Sequence, residues 1–355
     1  MKPLSFFVSI LAVFLLAGCT EGSPVDSGNS GSAAVKILQT GQTISYVTGD
    51  DGDLRPGEPW AVPRFTVNST DGTITDNSTG LIWETAPTLT VRTWSEALTY
   101  CAGSLVGGYD DWRLPNIREL ESLASASSDY ASQAAWLTAA GFQNIQASEY
   151  WSSTTDPGDS SLAYGFEWGL SSTLDGSYLE SKTAERYVIA VRGISSSLPR
   201  TGQTVSSATG DDGDLQAGLA WPDPRFADNG DNTITDTLTG LVWEKSPSTT
   251  GSMTYSQSAA YVATLWTGGK NDWRIPTIRE LQSLTCLDED NWATWLNARG
   301  FSASDGANVY YWSSTANPRA TGSCFCISTT NGGWSMADVE RTTSSSYLYV
   351  WAVRG

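Results

Sequence analysis

The chain has 355 residues, room for two ordinary domains, with a net charge of −18, no histidine and 16 tryptophans. An acidic balance with no Lys/Arg cluster excludes nucleic acid as a partner, because a polyanion would meet repulsion instead of releasing counterions. The lack of histidine removes the commonest general base and the commonest transition-metal ligand.

Residues 1–18 read as a bacterial lipoprotein signal: Lys2, an apolar run through Leu16, then Ala17-Gly18-Cys19. The run is short for a membrane span, and small residues stand where a peptidase needs them. Cleavage after Gly18 and lipid on Cys19 are expected, which makes the membrane a partner through the anchor. Thr20 follows the cysteine where Asp would signal inner-membrane retention, so an outer-membrane lipoprotein of the cell envelope, exposed at the surface, is expected. Residues 19–36 have the Ser/Gly composition of a flexible tether.

The rest is written twice. "TGQTISYVTGDDGDL" from Thr40 returns as "TGQTVSSATGDDGDL" from Thr201; Pro63-Arg64-Phe65 returns as Pro224-Arg225-Phe226. "DWRLPNIRELESL" from Asp111 returns from Asp272 with three changes, and "YWSST" and the closing "AVRG" each occur twice. Residues 37–195 and 199–355 are therefore two copies of one domain, joined by "ISSSLPR".

Each copy has the same expected order of elements. "DGTITD" and "GDNTITD" are hairpin turns leading into a strand, and "TGLIW" and "TGLVW" are the next strands. Thr93–Glu96 and Thr254–Gln257 fit a capping box that starts a helix. In the twice-written tract, Asn116 or Thr277 caps a second helix, with Glu119 or Glu280 at its third position and Ile117, Leu120 and Leu123 on one apolar face. Arg118 and Glu119 are read as a helix-surface ion pair or as partners of loop backbone. "AAWLTAAG" and "ATWLNARG" are short helices ended by glycine. Strands are expected at "YWSST", "YGFEWGL" and the last residues of each copy. Two main helices embraced by antiparallel strands make each copy α+β.

Candidate sites follow from residue type. Asp50, Asp51 and Asp53, matched by Asp211, Asp212 and Asp214, place carboxylates on a Gly-rich loop, which suits calcium; the competing reading is a turn whose carboxylates cap backbone groups. Trp83, Trp112, Trp136 and Trp151, with Trp243, Trp273, Trp295 and Trp312, are expected in the cores. Tyr164 and Trp168 in one copy, and Trp334 in the other, lie in the segment where the copies differ; they are candidates for stacking on a sugar or a protein partner, against ordinary packing. Arg192 and Arg354 are expected to pair with buried carboxylates. Cys101 reads as a buried small hydrophobe. An exported chain permits a disulfide from Cys286 to Cys324 or Cys326. No nucleophile–base pair stands out, so a non-enzymatic role is expected.

The ordered motifs "DxTITDxxTGL(I/V)WE", "DWR(L/I)PxIREL(E/Q)SL", "YWSST" and "AVRG" resemble the Lcl C-terminal domain family, twice over. "WRLPNIRELESL" is also similar to the "RLPTEAEWE" helix of formylglycine-generating-enzyme-like domains, which implies the broader C-type-lectin-like fold of two helices and a looped antiparallel sheet. The resemblance implies an exported module, in some members a binder of host glycans. The Glu-Pro-Asn and Gln-Pro-Asp tripeptides of sugar-binding C-type lectins do not occur. Taken together, a surface-anchored, non-catalytic binding or adhesion module for glycan or protein ligands is expected. The alternatives are a cysteine-dependent enzyme built on Cys324 and Cys326, or a structural envelope protein.

Overall fold

The computed structural model describes residues 34–127, 132–169, 176–247, 251–304, 306, 309–317, 322–329, 339–340 and 348–355, the strand at 339–340 by its backbone alone. Residues 34–355 form one compact unit. The signal, Cys19 and most of the tether lie outside the described residues. The tether ends sooner than residue 36: Val35 is buried and its N–H donates to the Leu238 carbonyl at 2.7 Å.

The first copy runs α1 (Asp51–Leu54), β1 (Phe65–Asn68), β2 (Thr73–Asp76), β3 (Ile82–Glu84), α2 (Trp94–Ala102), α3 (Ile117–Ser122), α4 (Gln133–Ala139), β4 (Glu149–Thr155), β5 (Leu162–Glu167), β6 (Ser177–Ser181) and β7 (Val191–Arg192). The second runs α5 (Asp212–Leu215), β8 (Phe226–Asp228), β9 (Thr233–Asp236), β10 (Val242–Glu244), α6 (Tyr255–Thr264), α7 (Ile278–Ser283), α8 (Trp292–Asn297), β11 (Tyr310–Ala316), β12 (Ser323–Ser328), β13 (Val339–Glu340) and β14 (Val353–Arg354). Each copy holds a sheet of order β1-β2-β3-β7 or β8-β9-β10-β14 and a second of order β4-β5-β6 or β11-β12-β13, with all pairs antiparallel. The chain is α+β, with two sheet-containing halves.

Local signals account for most of this. Capping boxes start α2, α3, α6 and α7 from Thr93, Asn116, Thr254 and Thr277. Register places Ile74 beside Trp83 and Trp83 beside Val191, with Ile234, Trp243 and Val353 doing the same in the second copy. The eight matched tryptophans are all buried.

The twice-written helix differs from its amphipathic reading. Ile117, Leu120 and Leu123 are fully buried, and Arg118, Glu119 and Glu121 are buried as well. The polar face is covered by the other copy. Arg118 pairs with Glu121 at 3.1 Å and reaches across to the Gln282 carbonyl at 3.0 Å and to Thr285, while Arg279 donates back to the Ala124 carbonyl at 2.7 Å. Glu119 faces inward too, and accepts two bonds of 2.6 Å from Arg113. The two α3-type helices thus meet at the join between the copies.

Candidate ligand-binding cleft

The Asp-rich loops are staples between the copies. Asp50 accepts N–H donors from Tyr46 (2.7 Å), Val47 (3.1 Å) and Asp53 (3.0 Å), and Asp53 accepts from Gly49 (2.8 Å). Asp211 and Asp214 repeat this with Ser207, Ala208, Asp214 and Gly210. The middle carboxylate reaches out of its own copy. Asp51 accepts from Thr40 and from Thr315 of the second copy, and Asp212 accepts from Thr201 and from Thr154 of the first, all at 2.7 Å. Thr154 and Thr315 in turn accept the first N–H of α3 and α7, from Ile117 and Ile278, each at 3.0 Å. Gln203 closes the same seam, accepting from the Thr155 N–H at 3.0 Å and donating to the Thr155 carbonyl at 2.7 Å; Gln42 accepts from the Ala316 N–H at 2.8 Å.

The glycine between the aspartates is required by close approach. A Cβ on Gly52 would stand 2.0 Å from the Ile44 carbonyl oxygen, and on Gly213 2.2 Å from that of Val205. Burial pushes the Asp51 carboxyl up to about 6 and that of Asp212 up to about 7, against the lowering effect of the threonine hydroxyls. Carboxylates already occupied by N–H and O–H donors favour the capping reading of these loops over calcium. Among the described residues no group of three His, Cys, Asp or Glu side chains could hold a metal ion.

The aromatic candidates fall differently from the expectation. Tyr164 and Trp168 are fully buried and cannot meet a ligand. Tyr164 sits on β5, the middle strand of its sheet, and Trp168 packs on Tyr150 with ring centroids 4.3 Å apart. The segment that differs between the copies continues into β6, which pairs with β5 in the same sheet, while both rings pack into the core with Leu120, Tyr150 and Phe166. Trp334 lies outside the described residues.

The disulfide is also corrected. Cys286 is a free, buried thiol, so it bridges to neither Cys324 nor Cys326. It lies against Gly202 and Trp221, whereas Cys324 belongs to the separate cluster around Trp312. Cys101 is buried on α2 as read. Arg192 and Arg354 pair with Asp111 (2.6 Å) and Asp272 (2.8 Å), carboxylates at the surface rather than buried ones.

What the reading by residue type passed over is an open cleft of about 290 Å³ in the first copy, lined by Trp60, Pro63, Arg64, Phe65, Trp136 and Ala140. Its floor is Arg64, whose guanidinium carbon lies 4.1 Å from the ring centre of Trp60, 4.9 Å from Phe65 and 5.2 Å from Trp136. Asp76 balances its charge at 3.3 Å, and the Ser122 carbonyl at the end of α3 takes another N–H. Burial lowers the affinity of Arg64 for its proton, against the pull of Asp76. Trp60 is fixed by its indole N–H on the Gln39 carbonyl at 2.7 Å, and Trp60 and Trp136 stand 5.7 Å apart, tilted by 43°. Val62, beside Pro63, is 97% exposed at the rim. Such a surface offers aromatic faces and a neutralised cation, and holds no nucleophile. The repeated Pro-Arg-Phe string was the signal that could have found it.

The profile of the Lcl C-terminal domain matches residues 72–192 and 232–354, one match in each copy. The chain belongs to the Lcl C-terminal domain family. A comparison with curated proteins finds no match. Within the matched residues lie the helices and strands other than α1, β1, α5 and β8, with Trp136 and Ala140 of the cleft; the Asp loops and the Trp60–Phe65 wall precede them. Among the described residues no helix is long and apolar enough to cross a membrane.

Proposed function

We propose that this chain is a non-catalytic binding module of the bacterial envelope, carrying two C-type-lectin-like domains on a lipid at Cys19 and engaging glycan or protein ligands. The observation that carries the reading is the open aromatic cleft. It is a concave surface rich in rings, whereas the other charged groups of the cores are spent on the protein's own donors and acceptors. Aromatic side chains supply rigid contact area at low entropic cost. The lipid-anchor reading is supported by the Leu-Ala-Gly-Cys string, and display on a tether suits capture of external ligands. A cysteine-dependent reaction is disfavoured by the full burial of Cys324 and Cys326 within β12.

The test is retention of glycans and envelope or host proteins by the purified chain, compared with Ala140→Arg, which fills the cleft. Retention by the native chain and its loss in the variant is the expected result. Equal retention by both, or none by either, contradicts the reading.

A further inference from the structure

The second copy rebuilds the cleft with one change. Trp221, Pro224, Arg225, Phe226 and Trp295 stand where Trp60, Pro63, Arg64, Phe65 and Trp136 stand in the first copy. The walls agree: Trp221 and Trp295 are 5.6 Å apart against 5.7 Å, and Phe226 meets Trp295 at 5.7 Å, as Phe65 meets Trp136. Arg225 fills the floor, 4.3 Å from Trp221 and paired with Asp236 at 2.9 Å. The difference is at the last position before the helix-ending glycine, where "TAAGF" has Ala140 and "NARGF" has Arg299.

Arg299 stacks its guanidinium over Trp295 at 4.1 Å and donates to the Trp295 carbonyl at 3.0 Å. The sibling domain therefore supplies its own cation on the side of the indole where, in the first copy, Trp136 and Ala140 border the open cleft. We infer that the cleft of the first copy receives the arginine side chain of a partner polypeptide, in the place Arg299 takes in the second.

Three observations carry this. The second copy shows that one indole accepts two guanidiniums, Arg225 at 5.9 Å and Arg299 at 4.1 Å, once the lower one is neutralised by a carboxylate. The first copy has the same neutralised floor in Arg64 and Asp76. The chain carries a net charge of −18, which attracts a cationic chain and steers its approach. The cleft is also open and flanked by the exposed Val62, as suits a side chain presented on a polypeptide more than an enclosed small molecule.

The inference rests on the binding-module reading and names its ligand class. The test uses the full chain, titrated calorimetrically with an arginine-containing peptide, the same peptide with citrulline in place of arginine, and free arginine amide. The native chain is expected to bind one equivalent of the arginine peptide, about tenfold more tightly than the citrulline peptide, the factor that a cation–π contact of roughly 1.4 kcal/mol supplies. Free arginine amide binds more weakly than the peptide if the occupant is a polypeptide. Ala140→Arg, which copies the sibling's own residue, loses the site. Arg299→Ala opens the second indole and raises the stoichiometry to about two. Equal affinity for arginine and citrulline, no binding by the native chain, or an unchanged stoichiometry in Arg299→Ala overturns the inference. If Ala140→Arg abolishes glycan retention while the arginine peptide does not compete, the cation is wrong and the binding module stands.

Discussion

Replacing Glu119 by alanine is expected to lower stability by about 3–5 kcal/mol and the melting temperature by roughly 10 °C. Glu119 accepts three hydrogen bonds in a buried place: the two from Arg113 at 2.6 Å and one from the Asn116 N–H at 2.9 Å. It thus joins the entry segment to the helix and completes the capping box of α3. Its removal strands a guanidinium that is largely out of water, and an uncompensated buried charge costs more than the pair was worth. Arg113 also holds the Gly193 carbonyl at 2.9 Å, so the strain spreads to the end of the last strand. Glu119→Gln keeps an acceptor for the N-cap and should lose less. Glu96→Ala, in the exposed capping box of α2, should lose much less than Glu119→Ala. Thermal melts followed by circular dichroism check this. Equal losses for Glu119 and Glu96 would show that the buried pair is not what holds the tract.

The second large effect is with pH. Burial raises four carboxyl groups far above the ordinary range: Asp51 to about 6, and Asp212, Glu84 and Glu244 to about 7 each. One oxygen of Asp212 and one of Glu244 have no hydrogen-bond partner. In the unfolded chain these groups titrate near 4. Between about pH 4 and pH 7 the folded state therefore binds more protons than the unfolded state, and stability falls as pH rises through 6–7. Each unit of difference is worth about 1.4 kcal/mol, so the combined effect of the four groups is on the order of ten kcal/mol. Groups held below their usual range oppose it only in stronger acid; Asp111 beside Arg192 and Asp272 beside Arg354 are of this kind. Melting temperature is expected to rise from pH 8 to a maximum near pH 4. Relief of the acidic chain's self-repulsion acts in the same direction, so the deciding comparison is Asp212→Asn, which should flatten the profile. A profile that climbs from pH 5 to pH 8, or one that Asp212→Asn leaves unchanged, contradicts the assignment.

What could be read in the sequence was whatever local chemistry dictates. Thr93, Asn116, Thr254 and Thr277 cap helices because a short polar side chain followed three residues later by Glu or Gln satisfies two orphan N–H groups wherever it occurs. The matched tryptophans are core because both copies bury the same rings. The path of the Asp loops was not legible. Thr154 and Thr315 stand in identical "YWSST" strings, so nothing local tells Asp51 which of the two it meets. That choice belongs to the tertiary arrangement, and it is also why the polar face of α3 is buried although its pattern reads as amphipathic. Tyr164 and Trp168 were misread for a similar reason. A segment that differs between copies looks like a binding face until the core around Tyr150 and Phe166, into which both rings pack, is in view. The cleft stayed hidden because its six residues come from two separated stretches, 60–65 and 136–140, and nothing local in either string says that they meet.

The central claim is that the two copies are stapled into one cooperative body by Asp51 on Thr315 and Asp212 on Thr154. Scanning calorimetry of the intact chain and of Asp212→Ala tests it most directly. The account predicts a single transition whose calorimetric and van't Hoff enthalpies agree, shifted down as a whole in the variant. Two resolved transitions, with Asp212→Ala moving one and leaving the other in place, would mean that the halves melt independently and that the exchanged loops hold nothing together.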